Sequence, residues 1–196
     1  MAEIRGMAEA DVASVMRVQS ECYAPSMVEA EATLRLRLRE FPETAWVAAD
    51  GQGVCGYLVA YGSRLGKVTP LGAPFGRYDA PDALYLHDLA VSARAKGQGV
   101  AKQLVRAALE HAVLRGFLFS ALVSVQGSQA FWRALGYVPW DSLRPDQRSN
   151  LLTYESRACY MVNRLVPAPG GISRAGPEAA SPPRRARVVR PARAAQ

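Results

Sequence analysis

The chain has 196 residues, of which 49% are hydrophobic, and its formal net charge is +7. This length allows one globular domain with a sizeable core, and no run of about eighteen apolar residues predicts a membrane-spanning helix. Three widely spaced cysteines and only two histidines argue against a disulfide framework and against a structural zinc site. No secretory signal is visible at the start of the sequence, so we expect a cytoplasmic protein.

The positive charge is concentrated towards the C-terminus. Residues 167–196 contain six arginines and one glutamate, so they carry +5 of the total charge of +7 and the remaining residues carry +2. Because this tail has almost no large apolar residues, we predict that it is disordered and that the folded domain spans residues 1–166. The charge of that domain does not indicate nucleic-acid binding. The tail itself is either an inert solvated segment or a loose contact for RNA or anionic surfaces.

The first elements are a short strand over residues 3–5 and a helix from Met7 to Tyr23. The inward face of this helix is predicted to contain Val12, Val15, Met16 and Gln19. A second helix is predicted to run to about Glu40, with Ser26 as its N-cap and Glu29 completing a capping box.

The second helix alternates apolar and basic residues. The residues expected in the core are Leu34, Leu38 and Phe41. The three arginines of this helix are Arg35, Arg37 and Arg39. We expect them to lie on a solvated face, and the alternative is that they line a substrate site.

A β-hairpin is predicted next, with its turn at Asp50-Gly51 between strands that begin at Trp46 and Val54. Residues 64–83 follow, and they are rich in Gly and Pro without apolar periodicity. Such a long irregular connection is often functional, so we interpret it as either a substrate-side loop or a plain surface loop.

The central unit of the chain is a strand, a basic glycine turn and a helix. The apolar run from Leu84 to Val91 predicts a buried strand. The helix that follows has one apolar face, formed by Val100, Leu104, Ala108 and Ala112. Between them lies Arg94-Ala-Lys96-Gly97-Gln98-Gly99. Two glycines permit a tight turn, and the helix N-terminus with two cations beside it forms an anion site that suits a pyrophosphate.

This turn differs from two common phosphate-binding loops. A P-loop needs GxxxxGK followed by Ser or Thr, whereas Gly99 is followed by Val100-Ala101-Lys102. A dinucleotide fingerprint needs Gly or Ala at the position of Lys102. The remaining alternative is an ordinary glycine-rich turn with solvated charges.

In the rest of the domain the sequence predicts three strands and one short helix. The strands cover residues 117–125, begin at Tyr137 and cover residues 158–166. The helix covers residues 128–135 and stops at Gly136. Residues 150–157 are ambiguous. The element order β-α-α-β-β-β-α-β-α-β-β predicts a mixed sheet with helices on both faces.

Three segments resemble the GNAT superfamily of N-acyltransferases. Leu89-Ala90-Val91 followed by Arg94-x-x-Gly97-x-Gly99 resembles its acyl-CoA segment. The sequence QGSQAFWRALGY from Gln126 to Tyr137 resembles its second signature block, and Tyr160-Met161 before Leu165 resembles its closing strand. The resemblance covers residues 3–166. It implies an α/β (α+β) fold with a mixed, mostly antiparallel sheet of six to seven strands, helices on both faces and splayed central strands.

The resemblance implies an acetyl-CoA-dependent N-acetyltransferase, in which an amine of a small molecule or protein attacks the thioester directly. In this family the pantetheine inserts between two splayed strands, and the backbone N–H of Leu89 would polarise the thioester carbonyl. Arg94 and the amides of residues 96–101 would hold the diphosphate. The residues that the resemblance assigns to CoA binding are Leu89, Ala90, Val91, Arg94, Lys96, Gly97, Gln98, Gly99, Val100, Ala101, Lys102, Gln126, Ser128 and Trp132.

Proton transfer is where this sequence departs from the family pattern. Many members have Tyr as general acid at the position of Trp132, whose indole N–H is not an acid at neutral pH. A thiolate whose thiol has a pKa of about 8.5 leaves without much help. The candidates that could replace this tyrosine as general acid are Tyr137, Ser124 and Ser128.

The candidate bases lie on the central strand and are Tyr85, His87 and Asp88. Strand alternation places Tyr85, His87 and Leu89 on one face and Asp88 on the other, unless a bulge changes the register. A histidine, with its ordinary pKa of about 6.5, suits a base. A buried His87 held for structural reasons is the alternative, and we expect His111 to be structural or solvated.

Two other functions stay open from the sequence. The missing Tyr is compatible with a CoA-binding module of weak or no catalysis, and the tail is compatible with an RNA-associated protein. For the leading interpretation we expect acetyl-CoA and an amine acceptor as partners, no metal, no membrane contact and nucleic acid only through the tail. A homodimer is left open, and the sequence does not identify the acceptor.

Overall fold

The computed structural model describes residues 2–154 and 156–165, so the predicted tail and the domain boundary at residue 166 lie outside the described residues. The strands in the described part are β1 Glu3–Gly6, β2 Ala45–Asp50, β3 Gly53–Ser63, β4 Ala83–Val91, β5 Phe119–Ser124, β6 Val138–Pro139 and β7 Cys159–Arg164. The α-helices are α1 Val12–Cys22, α2 Glu31–Glu40, α3 Val100–Leu114, α4 Gln129–Arg133 and α5 Pro145–Leu151. None of the described helices is long and apolar enough to span a bilayer.

The strands form one seven-stranded sheet in the order β1-β2-β3-β4-β5-β7-β6. Every neighbouring pair is antiparallel except β4 and β5, which are parallel. The parallel pairing extends only from Ala83 opposite Phe119 to Leu86 opposite Leu122. Both strands continue beyond this point without pairing, as the splayed pair that the family resemblance implies. The predicted fold class is confirmed.

Two apolar clusters cover the two faces of the sheet. Alternate residues of the central strands face α1 and α2, including Tyr57 and Tyr85. The residues between them face α3 and α4, including Leu58 and Leu84. This alternation follows from the two-residue period of a strand, and it confirms the predicted placement of helices on both faces.

The predicted cap of the second helix is wrong. Ser26 lies in a short 3-10 turn, Pro25–Met27, and α2 begins only at Glu31 without a side-chain cap. Glu29 does not close a capping box, because its carboxylate points inward and accepts hydrogen bonds from Arg37. Glu29, which the local pattern assigned to the helix end, is therefore buried in the interior instead.

The arginines of α2 do not share one solvated face. Arg35 and Arg39 lie at the surface, where both contact Glu9 and Arg35 also pairs with Glu31. The Arg37 side chain is only 2% exposed, so the prediction of a solvated face is wrong for this residue. A buried arginine requires a partner, and Arg37 has one in Glu29 on the same side of the sheet.

The irregular loop over residues 64–82 is present as predicted, and a helix that was not predicted holds it. The backbone N–H of Val68 donates to Gln147 of α5 at 2.8 Å, and Asn150 donates back to the Val68 carbonyl at 2.9 Å. These bonds satisfy loop backbone groups that the sheet does not pair. The loop therefore covers the α1/α2 face of the sheet as a fixed segment.

Candidate active site

A cleft opens at the point where β4 and β5 stop pairing. It has a volume of about 230 Å³. The predicted CoA-binding residues that line it are Leu89, Val91, Ala101, Gln126, Ser128 and Trp132. Ala90 does not line the cleft, because it points to the opposite face of the sheet and packs with the α1/α2 cluster. The apolar walls and the free strand edges suit an extended arm that inserts between the strands.

A second cavity of about 360 Å³ lies at the glycine turn. The predicted residues that line it are Lys96, Gly97, Gly99, Val100, Ala101 and Lys102. Gly97 and Gly99 both have φ of +77°, a left-handed conformation that glycine adopts at low cost, and Gly99 is the N-cap of α3. The first N–H groups of α3 lack helical partners, so they and the two lysines make this cavity attractive to anions. Val91, Ala101 and Phe131 line both cavities, so the two lie next to each other.

Arg94 and Gln98 do not line either of these cavities. Arg94 donates to Asp50 at 2.6 Å and to the Gly53 carbonyl at 3.0 Å, both on the β2–β3 hairpin. This contact holds the pKa of Asp50 below its usual value. Gln98 donates from its side chain to the Arg94 carbonyl. The structure thus gives Arg94 a role in anchoring the turn to the hairpin, and its contact with a diphosphate stays a prediction.

A β-bulge in β4 changes which side chains share a face. Val59 is opposite Asp88 while Ala60 is opposite Leu86, so His87 is the extra residue in the ladder. As a result His87 and Asp88 both face the α1/α2 side, whereas Leu89 faces the α3 side. The prediction from regular alternation placed His87 on the face of Leu89 and Asp88 on the other face. The bulge makes this prediction wrong for His87.

Asp88 accepts hydrogen bonds from three neutral donors. Tyr23 donates at 2.7 Å, Tyr57 at 2.5 Å and Gln19 at 3.1 Å. Burial and the adjacent carboxylate raise the pKa of both tyrosines well above the usual value, so they stay protonated donors. Asp88 is therefore held in one orientation by groups that do not neutralise its charge.

His87 contacts a different acid, Glu29. Nε2 of His87 lies 3.2 Å from Glu29 Oε2, and the histidine side chain is 2% exposed. Although burial opposes ionisation, the contacts with His87 and Arg37 hold the pKa of Glu29 far below its usual value. Nδ1 of His87 is buried and has no hydrogen-bond partner among the described residues.

A third, small cavity of about 30 Å³ adjoins the cleft on the side of these acids. Its polar walls are Glu29, His87 and Asp88, and its other walls are Tyr23, Met27, Leu71, Val123, Val125 and Tyr154. Tyr23, His87, Val123 and Val125 line both this cavity and the cleft. Two spaces of different size thus meet at the bulge, one apolar and elongated, the other small and acidic.

Comparison with known proteins agrees with this geometry. The model of the acetyltransferase (GNAT) family matches residues 12–137. The chain belongs to this family. Acyl transfer is therefore its class of reaction, and acetyl transfer to amines is the general reaction of the GNAT family. Among curated proteins, none matches the chain significantly.

Solved structures share the GNAT fold with this chain at low sequence identity. Ard1 from Thermoplasma volcanium has a TM-score of 0.61 and 19% identity, with 84% of this chain and 98% of that chain covered. The ribosomal-protein-S18-alanine N-acetyltransferase from Escherichia coli has a TM-score of 0.61 and 14% identity, with 88% and 99% covered. A GNAT-like decarboxylase, GphF in complex with isobutyryl-CoA, has a TM-score of 0.65 and 16% identity, with 83% and 98% covered.

The candidates for a general acid lie at different depths in this GNAT domain. Trp132 packs edge-on against Tyr137, which is 1% exposed and hydrogen-bonded to Ser120, so the Tyr137 hydroxyl does not reach the cleft. Ser124 and Ser128 are hydrogen-bonded to each other at 3.0 Å, and Ser128 lines the cleft. Of these three residues, Ser128 is the one that lines the cleft.

Tyr85 and His111 do not line the cleft, the cavity at the glycine turn or the small acidic cavity. Tyr85 is 1% exposed in the core, and burial raises its pKa well above the usual value. His111 packs edge-on against Trp46 and contacts the α3 side of the sheet, as a structural histidine does. The prediction that His111 is structural or solvated agrees with this position.

Sequence reasoning named His87 and Asp88 as candidate bases but missed the other polar residues on the acidic side of the site. Glu29 and Tyr23 lie outside the family segments, and no local pattern distinguishes them. Gln19 did carry a signal, because a polar side chain on a predicted inward stripe needs a buried hydrogen-bond partner. Here that partner is Asp88 on β4.

Proposed function

We propose that this protein is an acetyl-CoA-dependent N-acetyltransferase that acts on a primary amine. The observation that carries the proposal is the meeting of two cavities at Tyr23 and His87. The elongated apolar cleft suits a pantetheine arm, and the small cavity with its acids suits an amino group. A reaction between the two substrates needs this kind of adjacency, because holding both reactants in place supplies much of the acceleration.

The donor would lie with its diphosphate at the glycine turn. The free N–H groups at the start of α3, together with Lys96 and Lys102, would bind the diphosphate. The arm would follow the unpaired edge of β4 beyond Leu86. His87 is partly exposed as a residue although its side chain is not, so the main chain at the bulge faces open space. The backbone N–H of Leu89 would then polarise the thioester carbonyl.

Asp88 and His87 would divide the work on the amine. The charge of Asp88, held by neutral donors, would attract the ammonium form. His87 would take one proton on Nδ1, and Glu29 beside Nε2 would stabilise the resulting imidazolium. The amine nitrogen then bonds to the carbonyl carbon, the carbon–sulfur bond breaks, and the second proton of the nitrogen passes to the departing sulfur, so that CoA leaves as the free thiol. We assign no proton transfer to Tyr85.

The test is release of free thiol from acetyl-CoA in the presence of an amine panel, run beside calorimetry with CoA. Saturable CoA binding with amine-dependent thiol release supports the proposal. CoA binding without turnover would favour a catalytically weak CoA-binding module, and absence of binding would overturn both. The cytoplasmic location and the homodimer stay predictions that fractionation and sedimentation would test.

A further inference from the structure

The side chain of Gln19 bridges the two acids of the site. Its Nε2 donates to Asp88 Oδ2 at 3.1 Å and to the Tyr57 hydroxyl at 3.2 Å. Its Oε1 accepts the backbone N–H of Glu29 at 2.9 Å. Gln19 is 2% exposed, so these protein groups rather than solvent satisfy the amide. One neutral side chain of α1 thereby contacts both Asp88 on β4 and the segment that carries Glu29.

The partners determine which way the Gln19 amide faces. The backbone N–H of Glu29 needs an acceptor, which the amide oxygen supplies, and the Asp88 carboxylate needs a donor, which the amide NH₂ supplies. A flipped amide would set its oxygen against the carboxylate and its NH₂ against the N–H group. The side chain is therefore held in one orientation, with a separate bond towards each acid.

The two acids serve different steps of the proposed reaction. Asp88 would attract the ammonium form of the amine, whereas Glu29 contacts Nε2 of His87, the proposed base, at 3.2 Å. Asp88, Glu29 and His87 all line the small acidic cavity, and Gln19 does not. Gln19 therefore lies behind the wall of this cavity and acts on the reaction through the residues that it holds.

Resting on the proposed function, we infer that Gln19 is a positioning residue that sets Asp88 and the Glu29–His87 pair at a fixed spacing. An ammonium group drawn to Asp88 is then presented to the base in one geometry, and such placement supplies a large part of an enzyme's acceleration. Because the Gln19 amide is neutral, it orients Asp88 without cancelling the charge that attracts the amine. A buried glutamine with a structural role alone would affect stability and leave these properties of the site unchanged.

The first experiment removes the bridge with Gln19→Met, which keeps the length of the side chain and loses all three hydrogen bonds. We expect kcat/KM for the best amine of the panel to fall about 10- to 100-fold, the range that loss of a hydrogen bond to a charged group produces. CoA affinity, measured by calorimetry, should be retained, because Gln19 lines neither the cleft nor the cavity at the glycine turn.

The second experiment uses Gln19→Glu, which keeps the acceptor for the Glu29 N–H and replaces the donor to Asp88 with a second carboxylate. Two carboxylates this close share one proton, and the shared proton restores a donor to Asp88. When that proton is lost, the two charges repel each other and the spacing changes. The kcat of this variant, divided by the wild-type kcat, should therefore fall between about pH 6 and pH 9.

The other titratable groups around position 19 do not produce this pH dependence. Tyr23 and Tyr57 stay protonated, because burial raises their pKa values well above the usual value. Glu29 stays ionised, because its contacts with His87 and Arg37 hold its pKa low. His87 titrates in both proteins, so dividing by the wild-type kcat removes its effect.

Gln147→Glu is the matched control. Gln147 is 6% exposed and makes the same kinds of bond, since its Oε1 accepts the Val68 N–H and its Nε2 donates to Asp146. It lines none of the three cavities of the site. Its kcat relative to wild type should therefore be the same at every pH.

The outcomes separate this inference from the proposed function. An unchanged kcat/KM in Gln19→Met, a parallel loss of CoA affinity in both Gln19 variants, or a pH-independent kcat ratio in Gln19→Glu would overturn the inference while amine acetylation stands. Wild-type protein that binds CoA and releases no thiol with any amine would overturn the proposed function, and the inference with it.

Discussion

Arg37 Nη2 donates to Glu29 Oε1 at 2.8 Å, and both side chains are at least nine-tenths buried. The same arginine donates to the Ala73 carbonyl and lies over the Phe75 ring at 4.5 Å from its centroid. One buried ion pair therefore connects α2, the segment before it and the loop over residues 64–82. Glu29 of this pair also lines the small acidic cavity.

Removing Arg37 should destabilise the protein strongly. Arg37→Ala leaves Glu29 as a buried carboxylate without its main cation, and breaking such a pair costs about 3–5 kcal/mol. Urea unfolding measures the loss. Arg39→Ala changes a side chain that is 70% exposed on the same helix, so it should stay within about 0.5 kcal/mol of wild type. A loss below about 1 kcal/mol in Arg37→Ala would contradict the buried pair.

The same pair predicts how stability depends on pH. Glu29 has a lowered pKa in the folded state, so its contribution is complete above its ordinary value of 4.5 and declines as the pH falls below that value. Glu29→Gln should be less stable at neutral pH and should lose less stability between about pH 5 and pH 3. Unfolding curves across this range test it. Glu43→Gln, at an exposed carboxylate, should follow the wild-type curve.

The two described histidines give a matched test of catalysis. His87→Ala should lower kcat about 100-fold or more if Nδ1 accepts the proton, and the acid limb of the pH–rate profile should change. His111→Ala is the control, because His111 packs on Trp46 far from the cleft, where burial lowers its pKa. An unchanged pH–rate profile in the His87 variant would exclude it as the base.

Asp88 should act mainly on acceptor binding. Asp88→Asn keeps the shape of the side chain but removes the charge, and a charged hydrogen bond contributes about 1.5–3 kcal/mol. We expect KM for the amine to rise about tenfold or more. CoA affinity, measured by calorimetry, should be retained because Asp88 faces away from the glycine turn. A large loss of CoA affinity with unchanged KM for the amine would contradict this role.

Gly99 should be sensitive to a methyl group because of its backbone conformation. At φ of +77° an alanine pays about 1–2 kcal/mol, and relaxing this strain moves the start of α3. We expect Gly99→Ala to lower both stability and CoA affinity. Gly51→Ala is the control, since Gly51 has an ordinary φ and open space at its Cβ position. Unchanged CoA affinity in Gly99→Ala would argue against diphosphate binding at this turn.

Much of the glycine turn and of the cleft beside it could be predicted because the signals are local. The strand, the two glycines and the apolar face of α3 are consecutive in the chain, and each constrains the backbone through its own φ angles or periodicity. Trp132 and Ser128 could be placed in the same way, through the family block that contains them. Even here the partner of Arg94 was missed, since Asp50 lies on a hairpin 44 residues earlier.

The sequence by itself determined the order of elements apart from α5, the sheet with two covered faces and the glycine turn, because these depend on residues within a few positions of one another. Only the tertiary structure decided the acidic side of the site. The bulge at His87 depends on the register of β4 against β3, and Glu29 meets His87 across 58 residues of chain. Such contacts form when distant elements pack together. Burying a carboxylate costs free energy, and hydrogen-bond donors from those elements offset this cost.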